Sequence, residues 1–378
     1  MHKKLHKRHV KKESKEGIKK RTITINHLII SLIIILGLIV IFNQTWITYL
    51  GKELSTDSMK GIAKVKIKVI RDASCPNCFD LSLIIDLVKS KNVKIREEKI
   101  IEFDSGESRK LIDKYNIKKV PTVLVFGEIG NLSIANFERR GDALVFVKTL
   151  SPYVDAASGK VKGLVELTYI KKSGCDKCKE LTSLISQFKQ IGMKFDKETT
   201  LDDIQAKELI EKYDIKKLPT LIFSEESAEY DTIKEGWQAL GTVESDGSRV
   251  MRTINPPYFD LESNDIKGLV KMTMLTDKAC LDCYDVKLHK PILERFSIFI
   301  DEEASVDISS SEGKKIISRY DIKKAPTIIL SDDAGAYTIL KPVWKQVGTI
   351  EDDGAYLFRS VEVMKGKYRD LTTSEIKG

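Results

Sequence analysis

Cysteine is scarce in this 378-residue chain, and none of it stands alone: all six cysteines fall in three Cys-x-x-Cys pairs. No cysteine is left to bridge distant segments, so the chain is not a disulfide-stapled scaffold. A four-residue loop also removes little unfolded-state entropy, less than the ~3 kcal/mol of a fifteen-residue loop. Histidine is scarcer still: past residue 50 only His289 remains. With the pairs about 100 residues apart, a four-cysteine or mixed Cys/His zinc site lacks its donors. No metal and no cofactor is expected, and His289 reads as a polar residue of a short helix. The body also lacks any excess of basic charge. Residues 1–21 hold eight Lys and two Arg against Glu13 and Glu16, which equals the whole chain's net +8. A balanced remainder has nothing to attract a phosphate backbone, so nucleic acid is excluded as a partner.

What is present begins with a long apolar run. Leu28–Phe42 is broken only by Ser31 and Gly37 and continues to Trp46 and Tyr49, aromatics suited to a membrane interface. From Ile25 to Tyr49 the run reaches the ~20 residues that cross a bilayer. No small-x-small cleavage site follows, which favours an uncleaved anchor over a signal peptide. The basic cluster ahead of the run orients it. Residues 1–26 are expected as a cytoplasmic head, 27–50 as a transmembrane anchor in lipid, and the rest as extracytoplasmic. The span contains no cysteine, so it cannot relay reducing equivalents by thiol exchange; a separate membrane electron-transfer partner is implied.

The remainder repeats. Lys60-Gly61, Lys162-Gly163 and Lys267-Gly268 open three copies, with glycines 102 and 105 residues apart. Each copy carries its pair, Cys75/Cys78, Cys175/Cys178 or Cys280/Cys283, and 44–46 residues after the first cysteine a proline, Pro121, Pro219 or Pro326. The proline closes a shared block, Tyr115-Asn116-Ile117-Lys118-Lys119-Val120-Pro121-Thr122, echoed at Tyr213–Thr220 and Tyr320–Thr327. Three domains are expected, at 59–158, 159–263 and 264–378. Each reads as strand, CxxC, helix, strand, helix, strand. Leu81, Ile84, Ile85 and Val88 recur at helical spacing after Cys78, as do Leu181, Leu184, Ile185 and Phe188 after Cys178. Pro291 should shorten or kink the corresponding helix of the third copy. Asp246-Gly247 and Asp353-Gly354 suit hairpin turns that need positive φ. The dibasic pairs before the prolines, such as Lys118-Lys119, read as solvated loop lysines.

A CxxC heading a helix, followed by Tyr-x-Ile-x-x-x-Pro-Thr and an apolar strand, resembles the thioredoxin superfamily across residues ~60–378. The resemblance implies an α/β fold of three tandem thioredoxin-like domains, each a mixed central sheet flanked by helices, in a layout like that of disulfide isomerases. It also implies that Pro121, Pro219 and Pro326 are cis-prolines facing the CxxC. With Val120, Leu218 and Ala325 before them, they would form the substrate-binding edge. Two family features are missing. No Trp precedes the first cysteine, where Ser74, Gly174 and Ala279 stand. Val69, Tyr169 and Met274 occupy the place of the buried acid.

Thiolates attack disulfides, and helix N-termini favour thiolates. The first cysteine of each pair is therefore expected to attack and the second to resolve the mixed disulfide. Asp176 and Asp282 should make their pairs more reducing, Lys177 partly offsetting Asp176, and leave Cys75–Cys78 the most oxidising. The function expected is thiol–disulfide exchange on extracytoplasmic protein thiols and disulfides, with a relay between domains as an extension. The rival is a non-enzymatic tethered array of peptide-binding modules with structural CxxC disulfides. Within either, one or two copies could be redox-dead spacers.

Overall fold

The computed structural model describes residues 62–378. The expected head and anchor, 1–26 and 27–50, lie outside the described residues. Among the described residues no helix is long and apolar enough to cross a membrane.

The first copy is a five-stranded mixed sheet with helices on its faces. Strand β1 (Ala63–Arg71) runs parallel to β2 (Val93–Glu102) and antiparallel to β4 (Thr122–Gly127); β6 (Ala143–Phe146) and β5 (Phe137–Arg140) complete the order β2-β1-β4-β6-β5. Side chains alternate across a strand, so β1 sends Val65, Ile67 and Val69 to one core and Ile70 to the other. Val123 and Val125 of β4 join the first core and Leu124 the second. Both faces are covered, which is why the Pro-Thr strands are apolar without interruption. The helix Ser82–Ser90 lays Ile84, Ile85 and Val88 on the first face, and Gly106–Tyr115 covers the second. Copies two and three repeat this order.

The shared block turns out to be a helix stop and a strand start. Asn116, Asp214 and Asp321 take left-handed φ values of 49°, 47° and 47°. The following Ile117, Ile215 and Ile322 donate their N–H to carbonyls five residues back, all at 3.0 Å, the six-to-one bond that ends a helix. The tyrosines Tyr115, Tyr213 and Tyr320 donate their hydroxyls to Asp142, Asp246 and Asp353 in the far hairpin. The buried Thr122, Thr220 and Thr327 donate to the carbonyls of Phe146, Met251 and Phe358. Each of these hydrogen bonds recurs in all three copies.

A second, three-stranded sheet was not expected from the sequence. Short β3 (Lys119–Val120) pairs with β7 (Tyr153–Asp155), which pairs with β8 (Val161–Lys162). Its equivalents follow in the other copies. The second lysine of each dibasic pair is not simply solvated: Lys119 and Lys217 sit over the Tyr153 and Tyr258 rings at 4.0 and 4.4 Å, and Lys324 at 5.6 Å from Tyr368. Asp246-Gly247 and Asp353-Gly354 do lie in hairpin turns, and the glycine supplies the positive φ in each. One further expectation needs correcting. Pro291 does not interrupt its helix. It is the third residue of His289–Arg295, in the first turn, where its missing N–H is not needed. The third copy's helix is shorter because the preceding Val286–Leu288 is 3-10.

The second sheets run on to Lys162 and Lys267, past the expected boundaries at 158 and 263, so the domains meet at Gly163 and Gly268. Each glycine donates its N–H to a carboxylate of the following domain, Glu226 at 2.6 Å and Asp333 at 2.9 Å. Each also accepts from a buried tyrosine there, Tyr230 at 2.7 Å and Tyr337 at 2.8 Å. Across the first joint Tyr153 donates to Glu229 at 2.6 Å and Ser151 to its carbonyl at 2.7 Å. With φ of +82° and +90°, these glycines would drive an added Cβ into Ser151 and Pro256. We expect Gly163→Ala or Gly268→Ala to cost at least ~1–3 kcal/mol, lowering the first unfolding midpoint in calorimetry. Gly106→Ala, whose Cβ meets nothing within 4 Å, should leave it unchanged.

Candidate active site

Each Cys-x-x-Cys pair is bonded, with Cα atoms 5.4 Å apart in all three. The pairs do not head the helices. The helices begin at Ser82 and Thr182, seven residues after the first cysteine, and the third copy's at Val286 or His289. The intervening chain is a turn closed by the N–H of the second cysteine on the carbonyl of the first, at 3.1, 3.3 and 3.4 Å. The reason is visible one residue on. Phe79, Lys179 and Tyr284 donate their N–H to the carbonyls of Pro152, Pro257 and Lys367 at 2.8, 2.7 and 2.9 Å, pulling the chain onto the second sheet's hairpin. Helix begins only after that detour, in the first copy behind Asp80, which accepts the Ser82 N–H. In the first two copies the helix therefore starts four residues past the second cysteine rather than at the first.

Two more hydrogen bonds fix the approach. The N–H of each first cysteine bonds the carbonyl three residues back, of Asp72, Lys172 or Asp277. The N–H two residues before it, of Ala73, Ser173 or Lys278, bonds a carboxylate at the end of the neighbouring parallel strand: Glu102, Asp203 or Asp307, at 3.1, 2.7 and 2.8 Å. Ser309 and the Lys278 N–H hold the Asp307 carboxyl below its usual range. These three acids went unnoticed in the sequence. Their signal is a common offset, 27, 28 and 27 residues after the first cysteine.

The Val120–Pro121, Leu218–Pro219 and Ala325–Pro326 peptides are cis, as are Ser151–Pro152 and Pro256–Pro257, which the sequence reading did not anticipate. The first three lie by the pairs. Cys75 packs in one core with Val120, and Cys178 against the core of Leu218. The Tyr284 hydroxyl donates to the Pro326 carbonyl at 2.7 Å. Val120, Leu218 and Ala325 are fully buried, main chain included, and Pro121, Pro219 and Pro326 are buried as well, so the expected substrate-binding edge is closed in this structure.

Exposure also differs from the expected order of attack. Cys75 and Cys280 are buried, 6% exposed, while Cys78 and Cys283 are half-buried; both members of the second pair are half-buried. Between the cysteines the loops stand in solvent, Leu281 at 94%. The second cysteine is thus the more exposed residue in the first and third copies.

The third site is built differently from the others. Asp277, its side chain 2% exposed, is paired with Arg369 Nε at 2.5 Å. A carboxylate oxygen of Asp277 and the two sulfurs lie within 4.8 Å of one another. A buried acid thus stands beside this pair after all, three positions before the cysteine rather than six. Once reduced, the trio could offer a cation two thiolates and a carboxylate, but Arg369 already neutralises the carboxylate. Lys367 pairs with Asp282 at 3.1 Å, so Asp282 does not act on the sulfurs as a bare negative charge. Tyr284 has its hydroxyl pushed up by burial. It also stands 3.3 Å from His289 Nε2. His289 is buried against Phe358, and burial lowers it to about 4.

No protein-family model matches the chain, and no curated protein matches it. Among solved structures it is similar to ERdj5 (12% identity over 75% of this chain and 42% of that one, TM-score 0.15). It is also similar to human ERp44 (8% identity over 77% and 89%, TM-score 0.14). The chain spans about two fifths of the ERdj5 chain. The strand order and the placing of the pairs fix the layout. The layout is a tandem of three thioredoxin-like domains. The sites are three Cys-x-x-Cys disulfides at surface turns, each near a cis-proline.

Removing the Arg369 cation should leave Asp277 charged and uncompensated beside the sulfurs. In Arg369→Leu we expect the reduced third pair to alkylate at pH 7 on the order of tenfold more slowly, with Asp277→Asn in the same chain restoring the rate. His289 carries a second expectation. Its folded value lies below the ordinary 6.5, so protons bind the unfolded chain first. Stability of the third domain should be full above pH 6.5 and fall between 6.5 and about 4. Urea unfolding followed across that range in His289→Gln should lose this part of the slope.

Proposed function

We propose that this chain is a membrane-anchored, extracytoplasmic thiol–disulfide oxidoreductase that exchanges disulfides with protein substrates at three sites. The observation that carries the reading is the position of the disulfides. Each links residues three apart in a turn whose tip is exposed, and so joins nothing that the sheets do not already hold. Similarity of layout to ERdj5 and ERp44 accords with it but adds no weight. The anchor and the side of the membrane rest on residues 1–50 of the sequence.

In the oxidising direction a substrate thiolate attacks the sulfur of the more exposed cysteine residue, Cys78 in the first domain. The Cys75–Cys78 bond breaks, a mixed disulfide forms, and Cys75 leaves as a thiolate that takes a proton. A second substrate thiolate then attacks the substrate sulfur, forming the substrate disulfide and releasing Cys78. Two electrons and two protons have passed to the pair. The reverse sequence reduces a substrate, and a separate membrane partner would reset the pairs. The burial of Cys75 and Cys280 favours a second reading, a tethered peptide-binding array with permanent disulfides.

The test is the reduction potential of each pair in the intact chain, read by alkylation and mass spectrometry in redox buffers. Potentials between about −120 and −270 mV support exchange, and values below about −300 mV support the array. We further expect Cys75→Ser, Cys175→Ser or Cys280→Ser to abolish dithiol turnover at its own domain only. Cys75→Ser and Cys280→Ser should trap mixed disulfides through Cys78 and Cys283.

A further inference from the structure

Lys177 lies between the cysteines of the second pair, yet its ammonium leaves its own domain. It pairs with both oxygens of Asp301, at 2.7 and 2.9 Å. Asp301 is the second residue of the strand Ile300–Asp307 in the third domain, and its side chain is only 7% exposed while that of Lys177 is 53% exposed. The other loops are not tied this way. Position 77 is an uncharged Asn, and Asp282 pairs with Lys367 of its own domain. Of the three pairs, the second is the one whose intervening residue is gripped by the next domain.

We propose that Asp301 is a positioning residue for the second pair: by holding Lys177 it favours the Cys175–Cys178 disulfide over the dithiol. The proposal rests on the reading that this pair exchanges. A disulfide is neutral and makes no claim on a neighbouring cation. Reduction by a dithiol such as dithiothreitol transfers two electrons and two protons, leaving two thiols and the cyclic disulfide of the reductant. When one cysteine then loses its proton, a thiolate stands one or two residues from Lys177 and competes with Asp301 for the ammonium. If Lys177 turns to the sulfur, a nearly buried carboxylate loses its partner, which is costly. If Lys177 stays, the thiolate gains nothing from the cation beside it. Either outcome disfavours the reduced form. Linkage makes the effect reciprocal: reducing the second pair must weaken the grip between the second and third domains.

The experiment compares the intact chain with Asp301→Asn, equilibrating both in dithiothreitol buffers and quantifying each pair by differential alkylation. We expect the reduced-to-oxidised ratio of Cys175–Cys178 to rise about three- to tenfold, or about 15–30 mV, while the first and third pairs stay put. Lys177→Met should abolish the response to Asp301→Asn, because the cation through which Asp301 acts is gone. An unchanged second pair, an equal shift at all three, or a response that survives in Lys177→Met overturns the proposal. If the second pair of the unaltered chain resists dithiothreitol altogether, both this proposal and exchange at that site fall. If it equilibrates but ignores Asp301→Asn, only this proposal does.

Discussion

One backbone hydrogen bond organises each site: the N–H just after the second cysteine on the carbonyl of Pro152, Pro257 or Lys367. It draws the segment out of helical register and onto the small second sheet. The cysteine turn is thereby fixed at both ends, by this bond and by the carboxylate of Glu102, Asp203 or Asp307. It also comes just before the helix start, so the cysteines lie in a turn ahead of the helix and not on its first residues. In the charged side chains around that turn the three copies part company.

The first site has Asp72 near the pair, bonded to Ser74, and an uncharged Pro76-Asn77 tip. At the second site Lys172 occupies the position of Asp72; it pairs with Asp203 and lies over Phe259, and the tip cation is engaged elsewhere. The third replaces Lys172 with a buried acid and answers it with Arg369. One backbone scaffold thus carries three electrostatic settings. A chain of identical sites would need only one of them.

Much of the architecture was legible because repetition exposes it. The Tyr-x-Ile-x-x-x-Pro-Thr block marked a helix end and a strand start, and the copies explain why: Tyr115, the left-handed Asn116 and the buried Thr122 each make a bond that recurs. Local pattern could not reveal the start of the first helix, since Leu81, Ile84, Ile85 and Val88 have the same periodicity wherever the first turn lies. The detour depends on Pro152, more than seventy residues downstream of Cys78. Arg369 was equally hidden, 92 residues from the Asp277 it neutralises. Charge pairing across such separations leaves no periodic trace.

The glycine joints bear on what kind of client three sites on one chain could serve. Sites strung on loose linkers sample one another's surroundings statistically, each presenting the others at a millimolar-scale effective concentration. Gly163 and Gly268 instead have donor and acceptor both committed to the next domain. That replaces a cloud of separations by a single spacing. A polypeptide touching two sites at once would have to match this spacing, and size and stiffness of the client become criteria of selection in their own right.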